Sequence, residues 1–362
     1  MPEARATNSG GQTRTVGYAL NVFAYDSLAE LWPILERDVL AIKDRVFPDE
    51  LFPIELRFSE RIVRELSSDC DAVAKLKYFL DTHDLALITV NGFVMPAFHG
   101  EPVKERVYLP AWHESEARLR FTNACVDLLQ QLAPIDAESL SVSVPFGALK
   151  PVTMDAVAPN ILKAGEHAAR QDCIVALEPE PGLCVETTGE VIEFFERFVP
   201  DRLRPHLGVC FDLSHQLVQF ENLGESVRQL TAAGIRIAKV HVSNAAEMTK
   251  LEPFYEDSIY LHQVCGVNAA GQRAFFSLDW PATPPTGLSK FRCHYHLPVF
   301  STEHSTSAAV EDFLRAIPPS LHPSIPFIIE TYTLRGPVVD TICRELAWVR
   351  EKIGLSRRPA AL

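Results

Sequence analysis

Short apolar runs alternate with segments of helical periodicity along most of the chain. In the first helical segment, apolar residues recur every three or four positions from Leu28 to Val39, and Ser27 stands where it can cap the helix. The apolar runs between the helical segments have the length and the Val, Ile and Phe content of strands. They predict eight strands, at residues 15–25, 52–59, 85–93, 139–147, 173–181, 206–215, 236–244 and 326–333.

A predicted helix follows each of the eight predicted strands, which is typical of an α/β protein with a parallel sheet. Strands that are apolar throughout are buried on both faces, as they are in such sheets. A (β/α)8 TIM barrel is the simplest architecture with this order of elements. An open doubly wound sheet is the alternative, but the chain carries no GxGxxG or GxxxxGK motif. We therefore predict a TIM barrel.

The alternation is interrupted after predicted strand seven. Residues 246–302 contain the proline-rich PATPPTG and end in the β-like FRCHYHLPVF, so we predict an insertion with some local β structure. Such an insertion could serve as a lid or as a contact between copies in a homo-oligomer. The chain is thus divided into a disordered polar tail at 1–13, a single barrel domain at 14–355 and a second tail at 356–362.

The composition limits which kinds of partner the protein could bind and in which cellular compartment we expect it. The chain has 34 Lys and Arg against 47 Asp and Glu, a net charge of -13, which disfavours nucleic-acid binding. Its eight cysteines form no CxxC pair, which is typical of free thiols in a reducing compartment. The N-terminus lacks the apolar segment of a secretory signal peptide. No apolar run is as long as the about 18 residues that a membrane-spanning helix needs. We predict a cytoplasmic chain.

Four consecutive predicted strands end on an acid or an imidazole. These residues are Glu178 in ALEPEP, Asp212 in CFDLSH, His241 in AKVHVS and Glu330 in FIIET. In a TIM barrel, the carboxyl ends of the strands meet at one mouth, where active sites lie. Three carboxylates and an imidazole there suit Mn, Mg, Co or Zn, and the cation would offset the repulsion between the acids. Taken singly, each residue has an ordinary structural alternative, such as a helix cap for Asp212.

Further polar residues near the predicted mouth are candidate substrate contacts. His215 lies one turn beyond the strand end, and we expect it to face the substrate rather than the metal. Asn91 ends the third strand, and His99 and Lys104 lie on the following loop. Lys104 could bind a phosphate or a carboxylate as a point charge, although a solvated loop is the alternative.

A pair of histidines, His294 and His296, lies near the end of the predicted insertion. On a strand, these alternate positions would point in the same direction. They could then cover the mouth or bind substrate hydroxyls, and a purely structural role is the alternative.

The strand-end motifs resemble those of a known superfamily. Glu, then Asp-x-x-His, then His, then Glu on successive strands is similar to the xylose-isomerase-like sugar isomerase/epimerase superfamily of TIM barrels. The resemblance implies that Glu178, Asp212, His241 and Glu330 are metal ligands and that His215 binds the substrate. A narrower resemblance, to the EboE "metabolite traffic" family of bacterial ebo-type gene clusters, is carried by TVGYALNV, VNGF, FHGEPVKERVYLPAW, ALEPEPG, HLGVCFDLSHQ and HYHLPVF.

The resemblance implies a metal-dependent isomerase or epimerase that acts on a sugar- or cyclitol-like polyhydroxy carbonyl compound. Glu178 and Glu330 would then be base and acid at the carbon beside the carbonyl, and His215 would orient the substrate oxygen. A dehydratase that uses the same site is one alternative, and a non-catalytic factor in metabolite export is another. A phosphodiesterase similar to endonuclease IV would need more histidine ligands and a basic groove, which the charge of -13 disfavours.

Overall fold

Eight parallel strands close into a barrel, which confirms the predicted TIM barrel. The structure is a computed structural model that describes residues 14–355 except 101, 138, 252–258, 284, 333 and 335. The predicted tails at 1–13 and 356–362 lie outside the described residues. The barrel strands are β1 Val16–Ala19, β2 Phe52–Arg57, β3 Leu85–Asn91, β4 Ser141–Pro145, β5 Ile174–Glu178, β6 Leu207–Asp212, β7 Ile237–Val242 and β12 Phe327–Ile329. Around the barrel they follow the order β1-β12-β7-β6-β5-β4-β3-β2.

Helices surround the barrel and bury their apolar faces against the strands. They are α1 Leu28–Pro33, α2 Leu40–Val46, α3 Glu60–Ser68, α4 Cys70–Thr82, α5 Ala117–Leu132, α6 Met154–Arg170, α7 Thr188–Phe198, α8 Leu213–Val218, α9 Leu223–Ala232, α10 Ser307–Arg315 and α11 Val338–Lys352. One π-helical segment, Ile34–Val39, joins α1 to α2. Ser27 caps α1 as its sequence predicts, because its side chain accepts a hydrogen bond from the Glu30 amide.

All eight barrel strands are shorter than the apolar runs that predict them, and in the first and the sixth the chain turns at the barrel mouth. The first ends at Ala19 and continues as a 3-10 turn, Leu20–Val22. The sixth ends at Asp212, whose side chain accepts a hydrogen bond from the His215 amide and so begins α8. The first turn brings Asn21 within 2.8 Å of Glu330, and the second brings His215 Nδ1 to 3.8 Å from Glu178 Oε1.

The close approach of β1 to β2 explains a glycine in the first strand. A Cβ atom on Gly17 would lie 2.4 Å from the carbonyl oxygen of Pro53, which no real side chain tolerates. Its absence lets β1 pair with β2 on one side and with β12 on the other, and so close the barrel.

A second sheet lies between β7 and α10, within the predicted insertion. Its four antiparallel strands run in the order β10-β9-β11-β8, with bounds β8 Ala246–Met248, β9 Val264–Val267, β10 Arg273–Ser277 and β11 Lys290–Cys293. Because β11 ends at Cys293, His294 and His296 do not lie on a strand as expected but on the segment that follows it. That segment returns the chain to the barrel mouth.

Candidate metal centre

The structure brings together the four residues predicted to ligate a metal. Glu178 and Asp212 are the last residues of β5 and β6, His241 lies in β7 beside Asp212, and Glu330 directly follows β12. All four are at most 3% exposed. His241 Nδ1 lies 3.4 Å from Glu178 Oε1, 3.7 Å from Asp212 Oδ2 and 3.1 Å from Glu330 Oε2. One donor atom from each residue lies within 4.8 Å of the others.

Three buried polar atoms at the centre of this group suit a cation. Glu178 Oε2, Asp212 Oδ2 and His241 Nδ1 accept or donate no hydrogen bond among the described residues. A buried polar atom without a partner costs free energy, on the order of 1–3 kcal/mol each. Carboxylate oxygens and an imidazole nitrogen are ligands that a divalent metal takes in proteins. The donor set therefore fits a metal ion.

The environments of Glu178 and Glu330 shift the pKa values of their carboxyl groups in opposite directions. Burial raises the pKa of Glu178. For Glu330, burial is outweighed by the attraction of His241 and His296, so the pKa of its carboxyl lies well below the ordinary range. Two carboxyls with opposite shifts in one site are a common arrangement for an acid and a base.

Asp212 serves both as a helix cap and as part of the centre. Its Oδ1 atom accepts hydrogen bonds from the His215 amide at 2.9 Å and from the Ser243 hydroxyl at 2.8 Å. Its Oδ2 atom is the unpartnered one and faces His241. Burial, offset in part by His296, raises the pKa of Asp212 to about 7. The two interpretations of this residue are therefore compatible.

Glu330 is oriented by three neutral side chains. Its Oε1 atom accepts hydrogen bonds from the amide groups of Asn21 at 2.8 Å and Asn91 at 3.1 Å and from the hydroxyl of Tyr332 at 2.9 Å. Its other oxygen is left to face His241. Asn91, predicted as a substrate contact, lines the cavity, but its amide group is held by Glu330 and its oxygen by the Phe93 amide. The sequence patterns do not indicate Asn21 or Tyr332 as part of this site.

Three histidines converge beside the four-residue group. The Nε2 atom of His294 lies 3.2 Å from that of His215 and 2.8 Å from that of His296. The Nδ1 atoms of His215 and His296 face the carbonyl oxygens of Pro179 and Glu330, so both must carry the proton there. Burial lowers the pKa of His215 to about 3 and also lowers the pKa of His296. The cluster therefore offers nitrogen lone pairs to a hydroxyl group or a cation.

The structure does not place His99 and Lys104 in the cavity, where substrate contacts were expected. The Lys104 ammonium pairs with Asp279 at 2.6 Å and donates to the Tyr260 carbonyl at 2.8 Å, so it ties the loop to the insertion. His99 bonds through Nδ1 to the Tyr260 hydroxyl and through Nε2 to the Asn21 carbonyl, both at 2.9 Å. His99 therefore helps to fix the backbone position of Asn21, rather than contacting a substrate.

A cavity above the four-residue group is walled by apolar and aromatic side chains. Those that line it are Phe93, Val94, Phe98, Val107, Tyr260, Leu261, Tyr295 and Tyr332. Its floor carries the acids Glu178, Glu180 and Glu330 with His215, His294 and His296, and Asn91 and His262 complete the lining. Among the described lining residues there is no lysine or arginine.

Comparisons with known proteins agree with this architecture. Residues 54–265 match the family described as the xylose isomerase-like TIM barrel. Since that match covers more than half of the chain, the protein belongs to this family. No curated protein sequence matches the chain.

Solved structures share the fold at low identity. A xylose isomerase-like TIM barrel protein from Mycobacterium smegmatis in complex with magnesium has a TM-score of 0.58 and 12% identity over 95% of this chain and 98% of its own. L-ribulose 3-epimerase has a TM-score of 0.53 and 14% identity over 97% and 100%. The E. coli 3-keto-D-glucoside 4-epimerase in its apo form has a TM-score of 0.52 and 13% identity over 94% and 100%. At these identities the likeness establishes the fold.

The helices also bear on the membrane prediction. Among the described residues, no helix is both long and apolar enough to cross a membrane.

Proposed function

We propose that this protein is a divalent-metal-dependent isomerase or epimerase of a sugar- or cyclitol-like polyhydroxy carbonyl compound. The observation that carries the proposal is the convergence of Glu178, Asp212, His241 and Glu330 with three buried donor atoms left without described partners. The epimerases among the proteins of the same fold support it.

The four residues would hold a single ion of the Mn, Mg, Co or Zn class, and the magnesium bound by a protein of the same fold supports this. When bound, such an ion polarises a carbonyl group and stabilises the negative charge that forms on loss of the neighbouring proton. The remaining chemistry belongs to the side chains.

Glu178 and Glu330 would exchange protons with the substrate. Both border the cavity, and the two strands that separate them, β6 and β7, carry the other ligands. One carboxylate would take the proton from the carbon beside the carbonyl and the other would return one. A proton returned to the opposite face of that carbon inverts it, whereas a proton returned to the former carbonyl carbon isomerises the compound. Their opposite pKa shifts support this division of work.

The histidine cluster would orient the substrate. With Nδ1 protonated, the Nε2 atoms of His215 and His296 can accept hydrogen bonds from substrate hydroxyl groups. The apolar wall beside them would exclude water from the reacting carbon. A second cation is the other ligand that three converging imidazoles suit.

If the narrower resemblance to the EboE family holds, the reaction would belong to a pathway linked to metabolite export. A non-catalytic role in export is the competing function, but a carrier has no need for ligands from four strand ends. A dehydratase would use the same centre, and a new double bond in the product would distinguish it.

The test uses Glu178→Gln and Glu330→Gln, with Glu221→Gln as the control. Glu221 is an acid largely shielded by Thr188 and Ser226 and is outside the cavity lining. Deuterium wash-in from D2O is followed on neutral ketoses, aldoses and cyclitols with the metal-loaded proteins. We expect both cavity variants to fold and to lose exchange, while the control retains it. Exchange that persists in either folded cavity variant would remove that residue from the acid–base role.

A further inference from the structure

A buried acid on the opposite side of the barrel holds His241. Glu55, on β2, is fully buried, and its Oε1 atom lies 3.0 Å from His241 Nε2. Its Oε2 atom pairs with the ammonium of Lys239, which is also fully buried, and accepts from the Thr89 hydroxyl at 3.3 Å. Since β1 and β12 lie between β2 and β7 in the barrel, this contact crosses the interior.

The contact determines which nitrogen of His241 faces the acids. An ionised carboxylate can only accept hydrogen bonds, so Nε2 of His241 carries a proton. Nδ1, which faces Glu178, Asp212 and Glu330, can then present its lone pair to a cation. Without an acceptor at Nε2, the imidazole would place its proton on Nδ1 and donate it to an acid, and the ring would be lost as a ligand.

Lys239 neutralises the negative charge that Glu55 would otherwise add to a site that already holds three acids. It lies two residues before His241 on β7, so both side chains point into the barrel. The Glu55–Lys239 pair has no net charge, and Glu55 therefore orients the imidazole without adding a fourth negative charge. A buried pair of this kind adds little stability on its own, which points to a role other than stability.

We propose that Glu55, neutralised by Lys239, is a positioning residue that fixes the Nε2–H form of His241 and so aims Nδ1 at the metal. The effect on metal affinity depends on the proposed metal centre, whereas the effect on the imidazole proton does not. Partners of this kind typically change metal affinity by about 10–100-fold.

The test compares two double variants that both remove the buried charges. Glu55→Gln with Lys239→Met keeps an oxygen that can accept from His241 Nε2. Glu55→Leu with Lys239→Met removes that acceptor and leaves an apolar pair, which buried cores tolerate. Thermal unfolding of each variant checks that both fold, so that only the acceptor distinguishes them.

Two readouts are made on each variant. The first is the Kd for Mn²⁺ by equilibrium dialysis. The second, on metal-free protein with ¹⁵N-labelled histidine, is the downfield Nε2–H resonance of His241, which slow exchange makes visible and which is assigned by its loss in His241→Gln.

We expect the leucine variant to lose the Nε2–H resonance and to bind Mn²⁺ about 10–100-fold more weakly than the glutamine variant. Equal Kd values with equal resonances would overturn the proposal. If the wild type binds no Mn²⁺, the proposed metal centre fails, while the resonance still decides whether Glu55 positions the imidazole.

Discussion

Asp212 shows how one carboxylate can serve the backbone and the site together. One oxygen begins α8 by accepting from the His215 amide, and the other faces His241 without a described partner. Because the strand end, the helix cap and the proposed ligand position coincide at Asp212, its carboxylate can serve both roles.

The two roles can be separated by two substitutions. Asp212→Asn keeps an oxygen for the cap but loses the charge, whereas Asp212→Ala loses both. We expect both to weaken Mn²⁺ binding at least as much as the roughly 10–100-fold that loss of an outer partner costs. Asp212→Ala should lower the free energy of unfolding by about 1 kcal/mol more than Asp212→Asn. Binding is measured by dialysis and stability by urea unfolding.

A surface acid on α10, Asp312, provides the control for these variants. Asp312→Asn should bind Mn²⁺ like the wild type. An unchanged Kd in Asp212→Asn would contradict its role as a ligand.

The sequence predicts the candidate ligands but not the side chains that orient them. Glu178, Asp212, His241 and Glu330 each interrupt an apolar run at a strand end, which is a local signal. Glu55 stands in the middle of FPIELRFS, and its partners lie 184 and 186 residues away. Nothing local indicates which residues meet across a barrel interior, so such partners escape a search along the chain.

At the scale of elements, a buried acid joins the last helix to the barrel. Glu345 on α11 accepts hydrogen bonds from the hydroxyls of Tyr18 on β1 at 2.6 Å and Thr331 at 2.7 Å and from the Val299 amide at 3.0 Å. Burial raises its pKa to about 7. The acid is therefore protonated in the folded state over a pH range in which the unfolded chain ionises it.

This shift predicts a pH dependence of stability. Since the folded pKa lies above the unfolded value, the contribution of Glu345 is complete below about pH 4.3 and is lost as pH rises through about 7. The wild type should lose about 3 kcal/mol of unfolding free energy between these limits that Glu345→Gln does not lose. Urea unfolding from pH 4.5 to 8 measures the difference. Parallel pH profiles for the two proteins would contradict the assignment.

The insertion shows which elements a sequence can and cannot place. Its proline-rich composition predicts that the regular alternation stops there. The placement of its sheet depends instead on tertiary contacts, such as Lys104 with Asp279 and Arg273 with Glu186. His294 and His296 lie at the mouth on the segment that follows β11. The periodicity of a strand could not predict that position, because neither residue belongs to a strand.

For the whole molecule, the net charge and the acidic residues that line the cavity both disfavour an anionic substrate. The chain carries a net charge of -13, and the cavity floor contributes three acids with no described lysine or arginine in the lining. Even with one divalent ion bound, a phosphate or carboxylate group would face repulsion there.

We therefore expect uncharged polyhydroxy carbonyl compounds to react with a higher kcat/KM than their phosphorylated counterparts. The reason is the desolvation of an extra anion without a cationic partner. Exchange assays on matched pairs, such as a ketose and its terminal phosphate, measure the ratio. A preference for the phosphorylated member would contradict this description of the cavity.

The proposed function requires that the four strand-end residues bind a divalent metal ion. The most direct test is to measure the metal content of the purified protein, before and after dialysis against Mn²⁺, Mg²⁺, Co²⁺ or Zn²⁺. We expect at least one tightly bound ion per chain, because the buried donor atoms of Glu178, Asp212 and His241 have no other described partner. No ion after purification and none after addition would contradict the account.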